Sequence, residues 1–192
     1  MSGFRTWEQK ELARPTTKQE VIEAGLAYLE GVGADLICKV CIPSGGSCCI
    51  SCPFLADRVG CGQRNTSCTA WLCGFLKYIY YEAGLIREWE GFWDEVPGQQ
   101  FRYDTTPRHF AVHGWLEPPK IRFLSEAFAD DLQRLRRDRP AAWLVELKGK
   151  LDWYIDEILD STNPKFVKRK EAKLYRLTSD FQRFHQAKAQ LN

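Results

Sequence analysis

Residues 38–73, CKVCIPSGGSCCISCPFLADRVGCGQRNTSCTAWLC, contain every cysteine of the 192-residue chain. The eight cysteines are Cys38, Cys41, Cys48, Cys49, Cys52, Cys61, Cys68 and Cys73. Two of the spacings are Cys-x-x-Cys, in which one tight turn presents two sulfurs to one metal ion. Residues 43–47, PSGGS, form a flexible elbow that lets the two pairs face each other. The segment therefore predicts a metal site, and all eight cysteines are its candidate ligands.

The same cysteines have two other interpretations. Disulfides form in oxidising compartments, but the first residues, MSGFRTWEQKELARP, lack the apolar core of a secretory signal. Disulfides within so short a run would also close only tiny loops. Alternatively, the cysteines are small buried hydrophobes, yet a segment that mixes them with Gly, Ser and Pro is a poor core sequence. Metal ligation is the better explanation.

The spacing leaves the identity of the metal open. Two Cys-x-x-Cys pairs form one four-thiolate zinc knuckle, and the other four cysteines then suffice for a second site. An iron–sulfur cluster also uses four thiolates and needs an apolar wall, which Phe54, Leu55, Trp71 and Phe75 would supply. The surplus of cysteines and this wall favour a 4Fe–4S cluster over zinc, which stays the alternative.

The order of residues across the segment resembles that of a known family. A double cysteine at 48–49 is followed by Cys52-Pro53-Phe54-Leu55, then by Gly60-Cys61, Arg64 and Cys68. This order resembles the YkgJ-type cysteine-cluster proteins, which are described as zinc- or iron-chelating domains and include the flagellin lysine N-methylases. The resemblance implies metal chelation by these cysteines and, as an extension, an enzyme that methylates a macromolecule.

Hydrophobic periodicity predicts a mainly α-helical protein built around this irregular metal-binding segment. Helices are expected over residues 17–30, 68–82, 121–137 and 140–159, with a short one through Trp89 and Trp93 and a last one after Asn163-Pro164. Asn65-Thr66-Ser67 offers a cap for the second helix, which puts Cys68 in its first turn. Cys73 should then lie on another face, where it also fits a plain core cysteine. Residues 99–103 and 109–115 either pair as a short β-hairpin or cover the cysteines.

Charge divides the chain into two parts. Residues 163–192 carry a net charge of +6 and the preceding 162 residues one of −4. We therefore expect a helical domain over 1–162 and a basic C-terminal helix over 163–192, packed on it or extending from it. Lys165, Lys168, Arg169, Lys173 and Arg176 recur every three or four residues on this helix. They predict either a solvated face or a site for an anionic partner, which is a nucleic acid or an acidic protein.

Other sequence features narrow the function without deciding it. His109 and His113 lack the acidic neighbour of a metalloprotease motif, and no phosphate loop, dinucleotide fingerprint or serine-hydrolase elbow is present. No apolar run is long enough to span a bilayer, so no membrane partner is expected. Reduced thiolates point to the cytoplasm. A structural or redox metal protein, a macromolecule-modifying enzyme and a nucleic-acid-binding module are the three hypotheses.

Overall fold

A computed structural model describes residues 13–46, 52–56, 60–61, 63–100, 103–140 and 142–191. In these ranges the protein is mainly α-helical, as the sequence predicted. The helices are α1 Lys18–Val32, α2 Ala34–Cys41, α3 Thr66–Ala70, α4 Gly74–Glu82, α5 Ile86–Asp94, α6 Arg122–Arg136, α7 Ala142–Leu159, α8 Pro164–Thr178 and α9 Gln182–Lys188. The strands are β1 Arg14–Thr17, β2 Leu55–Ala56, β3 Gly60–Cys61, β4 Gln99–Gln100, β5 Tyr103–Asp104 and β6 His109–Val112.

The first helix begins and ends on local sequence features. The Thr17 hydroxyl accepts from the Glu20 backbone N–H, and the Glu20 carboxylate accepts from the Thr17 N–H at 2.7 Å, which forms a capping box. Gly33 ends α1 with a φ of 87°, a conformation that glycine adopts without steric cost. The predicted helix over 17–30 is confirmed, because both of its ends depend on neighbouring residues alone.

The cysteine segment begins inside a helix rather than in irregular chain. Cys38 and Cys41 belong to α2, which buries Ile37 and Val40 against the core. The expectation of an irregular segment from Cys38 onward is therefore wrong for its first four residues. A 3-10 turn over Ile42–Ser44 follows, and Gly45 turns the chain with a φ of 81°.

The helix predicted over 68–82 is two helices. Asn65 caps α3 by accepting from the Cys68 N–H at 2.8 Å, as predicted. Residues 71–73 are not helical, and α4 starts at Gly74. This break lets Leu72 and Cys73 both enter the core. Burial of these two side chains thus accounts for the break, although the spacing of apolar residues in the sequence predicts one continuous helix.

The strands pair differently from the predicted hairpin. β4 pairs antiparallel with β5, only three residues further along the chain, whereas β6 pairs with β1. In the latter ladder Thr16 lies opposite Phe110. Residues 99–103 and 109–115 therefore do not pair with each other, because each finds a different partner. A third short ladder joins β2 to β3 within the cysteine segment.

Helix pairs enclose an aromatic core. α4 packs on α7, α2 and α9 pack on α6, and α8 packs on α7. The single final helix of the prediction is interrupted at residues 179–181, and α9 then turns Phe184 inward. The Phe128 ring lies 4.9 Å from that of Phe181 and 5.4 Å from that of Phe184. No helix in the described ranges has the length and hydropathy that a membrane span requires.

Candidate metal centre

Cys38 and Cys41 occupy the last turn of α2, three residues apart, so they lie on the same side of the helix. The Cys41 thiol is buried and donates to the Gly46 carbonyl at 3.1 Å. The Gly46 N–H in turn donates to the Cys41 carbonyl at 3.0 Å. A Cβ at position 46 would lie 2.2 Å from Cys41 Sγ, so this close turn requires glycine.

Cys73 approaches the same place from another element. It is the N-cap residue of α4, is 4% exposed, and its carbonyl accepts from the Lys77 N–H at 2.8 Å. Ionised Cys73 raises the pKa of both Cys38 and Cys41, after the larger effect of burial. α2 contacts α4, so the three thiols influence one another's ionisation across this contact.

Burial sets the ionisation of these thiols. The pKa of Cys41 is raised to about 12, and burial is the largest cause. The neighbouring Cys73 and Cys38 also raise this pKa. Burial also raises the pKa of Cys38. In the absence of metal, both thiols are therefore protonated at neutral pH.

Two cations act against this effect. Lys148 of α7 lowers the pKa of Cys41 and Cys38, and Arg64 lowers the pKa of Cys38. The Lys148 ammonium donates to the Gly46 carbonyl at 3.2 Å, the same oxygen that accepts from the Cys41 thiol. Lys148 lies 75 residues beyond Cys73 in the sequence, and no motif marked it as part of the site.

Glycine brings α7 close enough for this contact. A Cβ at Gly74 would lie 2.0 Å from the Lys148 carbonyl oxygen and 2.9 Å from the Asp152 nitrogen. The first turn of α4 therefore packs directly on the backbone of α7. This contact brings Lys148 to the thiols.

The remaining cysteines do not join this group in the described ranges. Cys61 is exposed on β3 and its thiol donates to the Gln63 carbonyl at 2.7 Å. Cys52 is half-buried before β2, and Cys68 is half-buried in the first turn of α3. Cys48 and Cys49 lie outside the described residues. Within the described ranges, no three His, Cys, Asp or Glu side chains are close enough to hold a metal ion.

The predicted apolar wall does not form as a unit. Phe75 is fully buried in the core, whereas Phe54 and Trp71 are 53% and 41% exposed. Position 75 lies in the first turn of α4 and points inward, while residue 71 lies in the break between the two helices. The interrupted helix is the reason why the rings of Trp71 and Phe75 separate.

The two histidines lie at the surface. His109 is exposed on β6, and His113 Nδ1 lies 3.5 Å from Glu95 Oε2 just after the strand. Neither contacts a cysteine through any bond found in the described residues. Both side chains therefore lie at the surface, apart from the described cysteines.

The basic residues of α8 separate into an exposed set and one buried lysine. The exposed set is Lys165, Lys168, Arg169, Lys173 and Arg176. Lys170 is 6% exposed and pairs with Glu157, and its ammonium lies 4.2 Å from the centroid of the Trp153 ring. Lys170 thus holds α8 on α7, and the exposed set faces solvent.

Comparison with family models, curated proteins and solved structures gives no match for this chain.

Proposed function

We propose that the cysteine segment binds a metal centre, a 4Fe–4S cluster in preference to zinc, where α2, α4 and α7 meet. The observation that carries this proposal is that α2, with Cys38 and Cys41, contacts α4, which Cys73 caps, and that Cys73 influences the ionisation of the other two thiols. These three thiols would be part of a four-thiolate ligand set, which they do not form by themselves among the described residues. On sequence grounds the further ligands are Cys48 and Cys49, two and three residues after Gly46, with Cys52, Cys61 and Cys68.

The electrostatics favour metal ligation over thiol–disulfide exchange. A redox Cys-x-x-Cys motif needs a thiol with a low pKa, and such thiols lie at helix N-termini. Cys38 and Cys41 lie at the C-terminal end of α2, and burial raises the pKa of both. A bound cation would compensate for this cost, because it displaces the thiol protons directly.

Nearby positive charge supports the same conclusion. Four thiolates around a divalent ion or a 4Fe–4S core of charge +2 carry a net charge of −2. Lys148 and Arg64 both favour ionised thiols at this place. Cys73 lies at the N-terminus of α4, where the helix dipole favours a thiolate.

Elemental analysis of protein purified without oxygen tests this proposal. We expect iron or zinc near one equivalent per chain or more, and broad visible absorption if the metal is iron–sulfur. Cys73→Ser should lose metal, whereas His109→Ala should keep the wild-type content. Wild-type protein that is folded, metal-free and has eight titratable thiols would contradict the proposal. Colourless protein with stoichiometric zinc would select the alternative metal.

A second function is supported by the exposed face of α8, and we propose that this face binds nucleic acid. Lys165, Lys168, Arg169 and Arg176 fall on one side of the helix and are all exposed. Along the helix axis they span about 16 Å. Phosphates that contact them would release counterions, so affinity should fall steeply with salt.

Binding of nucleic acid at increasing salt tests this second function. With four contacts the logarithmic salt slope should be about −3 for single strands. Lys168→Glu/Arg169→Glu should reduce both the affinity and the slope, whereas the control Arg87→Glu/Lys120→Glu changes exposed cations outside this face. If polyglutamate binds and nucleic acid does not, the partner is an acidic protein instead. Methyl transfer remains a prediction of the family resemblance alone.

A further inference from the structure

Tyr175 is the most exposed large apolar side chain among the described residues. Its exposed fraction is 66%, compared with 0% for the core residues Tyr28, Tyr78 and Tyr80. It lies on α8 directly before Arg176 and seven residues after Lys168. Seven residues are two helical turns, so Tyr175 and Lys168 lie on the same side, about 10 Å apart along the axis.

One side of the Tyr175 ring contacts a residue of the next helix. Its centroid lies 5.7 Å from that of the His185 ring on α9. His185 is half-buried, and its Nε2 lies 2.8 Å from the Thr178 carbonyl oxygen. One side of the tyrosine ring thus rests against an anchored residue, and the exposed remainder faces solvent on the side of Lys168.

The other exposed aromatic ring near α8 is in a different situation. Trp153 is 52% exposed, but the Lys170 ammonium lies over its ring and the Tyr154 ring is 4.8 Å away. Its aromatic surface is therefore already engaged by a cation. Tyr175 is the ring that remains open next to the exposed cations.

We propose that Tyr175 stacks on an unpaired base of a single-stranded nucleic acid whose phosphates contact Lys168 beside the ring and then Arg169 and Arg176 further round α8. This inference rests on the second proposed function and names its substrate class. An aromatic ring beside a line of cations is the usual arrangement for binding single strands without sequence readout. In a duplex the faces of the bases are covered by their neighbours, so Tyr175 gains no stacking partner there. The surface therefore selects single strands over duplexes.

Fluorescence anisotropy with the full chain tests this selection, using an oligothymidylate of about 12 nucleotides and its duplex with oligoadenylate. We expect the single strand to bind more tightly than the duplex. Tyr175→Leu should raise the Kd for the single strand roughly five- to hundredfold and leave its salt slope unchanged. Tyr175→Phe and Tyr175→Trp keep a stacking ring and should bind within about twofold of wild type.

The outcomes separate the two proposals. If wild type binds the single strand and Tyr175→Leu binds equally well, the stacking role is wrong while the basic surface stands. Preferential binding of the duplex also overturns the stacking role. If wild type binds no nucleic acid even at low salt, the second proposed function itself fails. Circular dichroism of Tyr175→Leu checks that α8 remains folded.

Discussion

Asp104 joins three parts of the chain through one carboxylate. It accepts from the Lys18 ammonium at 2.9 Å and from the backbone N–H groups of Thr66 and Thr106, each at 3.0 Å. Thr66 is the first residue of α3, so this carboxylate binds at a helix N-terminus. Burial opposes ionisation, but Lys18 and the N–H groups outweigh it and lower the pKa of Asp104 to about 2. The side chain is only 5% exposed.

This shift predicts a pH-dependent contribution to stability. A carboxyl whose pKa falls from 3.8 to about 2 on folding stabilises the protein above pH 4. That contribution, about 2 kcal/mol, is lost as the pH falls through the range from 4 to 2. Asp104→Asn should therefore be less stable than wild type at pH 7, and the difference should shrink at pH 2.5. Denaturant unfolding at both pH values measures it.

Asp138→Asn is the matched control, since Asp138 is exposed in the turn after α6. Its free energy of unfolding should follow that of wild type at both pH values. If Asp104→Asn shows the same pH dependence as wild type, the carboxylate does not hold α3 in the way described.

At the scale of elements, the contact between α4 and α7 depends on the lack of a side chain at Gly74. Gly74→Ala would place a methyl group 2.0 Å from the Lys148 carbonyl oxygen, and backbone atoms cannot move away cheaply. We expect a loss of about 1–3 kcal/mol or more in the free energy of unfolding. The metal content should also fall, because Lys148 and Cys73 would separate. Thermal unfolding and elemental analysis measure the two effects.

Gly149, the next residue after Lys148, provides the control. It is exposed inside α7, and a Cβ there meets no atom within 4 Å. Gly149→Ala should therefore be neutral or should stabilise the helix by up to about 1 kcal/mol. Equal stability losses in the two alanine variants would show that the close approach at Gly74 is not what matters.

The sequence was sufficient for elements whose ends are decided locally. α1 has its capping box and Gly33, α8 has the Asn163 cap followed by Pro164, and α6 and α7 have long apolar periods. The sequence-based prediction failed where tertiary contacts decide the bounds or the pairing of an element. Burial of Leu72 and Cys73 interrupts the helix predicted over 68–82, and β6 pairs with β1, which lies almost a hundred residues earlier.

For the candidate site, the sequence identified the cysteines but not their surroundings. Thiol spacing alone marks Cys38 and Cys41 as a pair, and both do lie on one side of α2. Cys73, the least certain candidate by spacing, is buried at the start of α4, because the helix break moves it there, and it influences the ionisation of Cys38 and Cys41. Lys148 carries no motif, and only the packing of α7 on α4 brings it to the thiols.

At the scale of the whole molecule, the last described helix belongs to the main core. Phe181 and Phe184 are 1% and 0% exposed, and Phe184 lies 5.1 Å from the Tyr78 ring of α4. Asp131 of α6 is also fully buried, and its carboxylate accepts from the Phe184 N–H at 3.0 Å. Residues from three helices thus meet around Phe184.

Removing this ring should destabilise the whole protein rather than α9 alone. We expect Phe184→Ala to cost about 3–5 kcal/mol, a large part of the stability of an ordinary domain. Tryptophan fluorescence, to which the buried Trp89 and Trp93 of α5 contribute, should change in the same transition as the helical circular dichroism. Leu191→Ala, at a 38% exposed position, should leave the transition unchanged. Two separate transitions in the wild type would contradict a shared core.

Because α9 contributes to the core around Phe128, the order of synthesis matters. Phe184 is translated 56 residues after Phe128. At about 5–20 residues per second, roughly 3 to 11 s pass between the two. During that interval the growing chain has α6 but lacks the rings that cover it. A ribosome-bound chain that stops at residue 180 should therefore recruit chaperones that bind apolar surfaces, and one that includes α9 and has cleared the ribosome should release them.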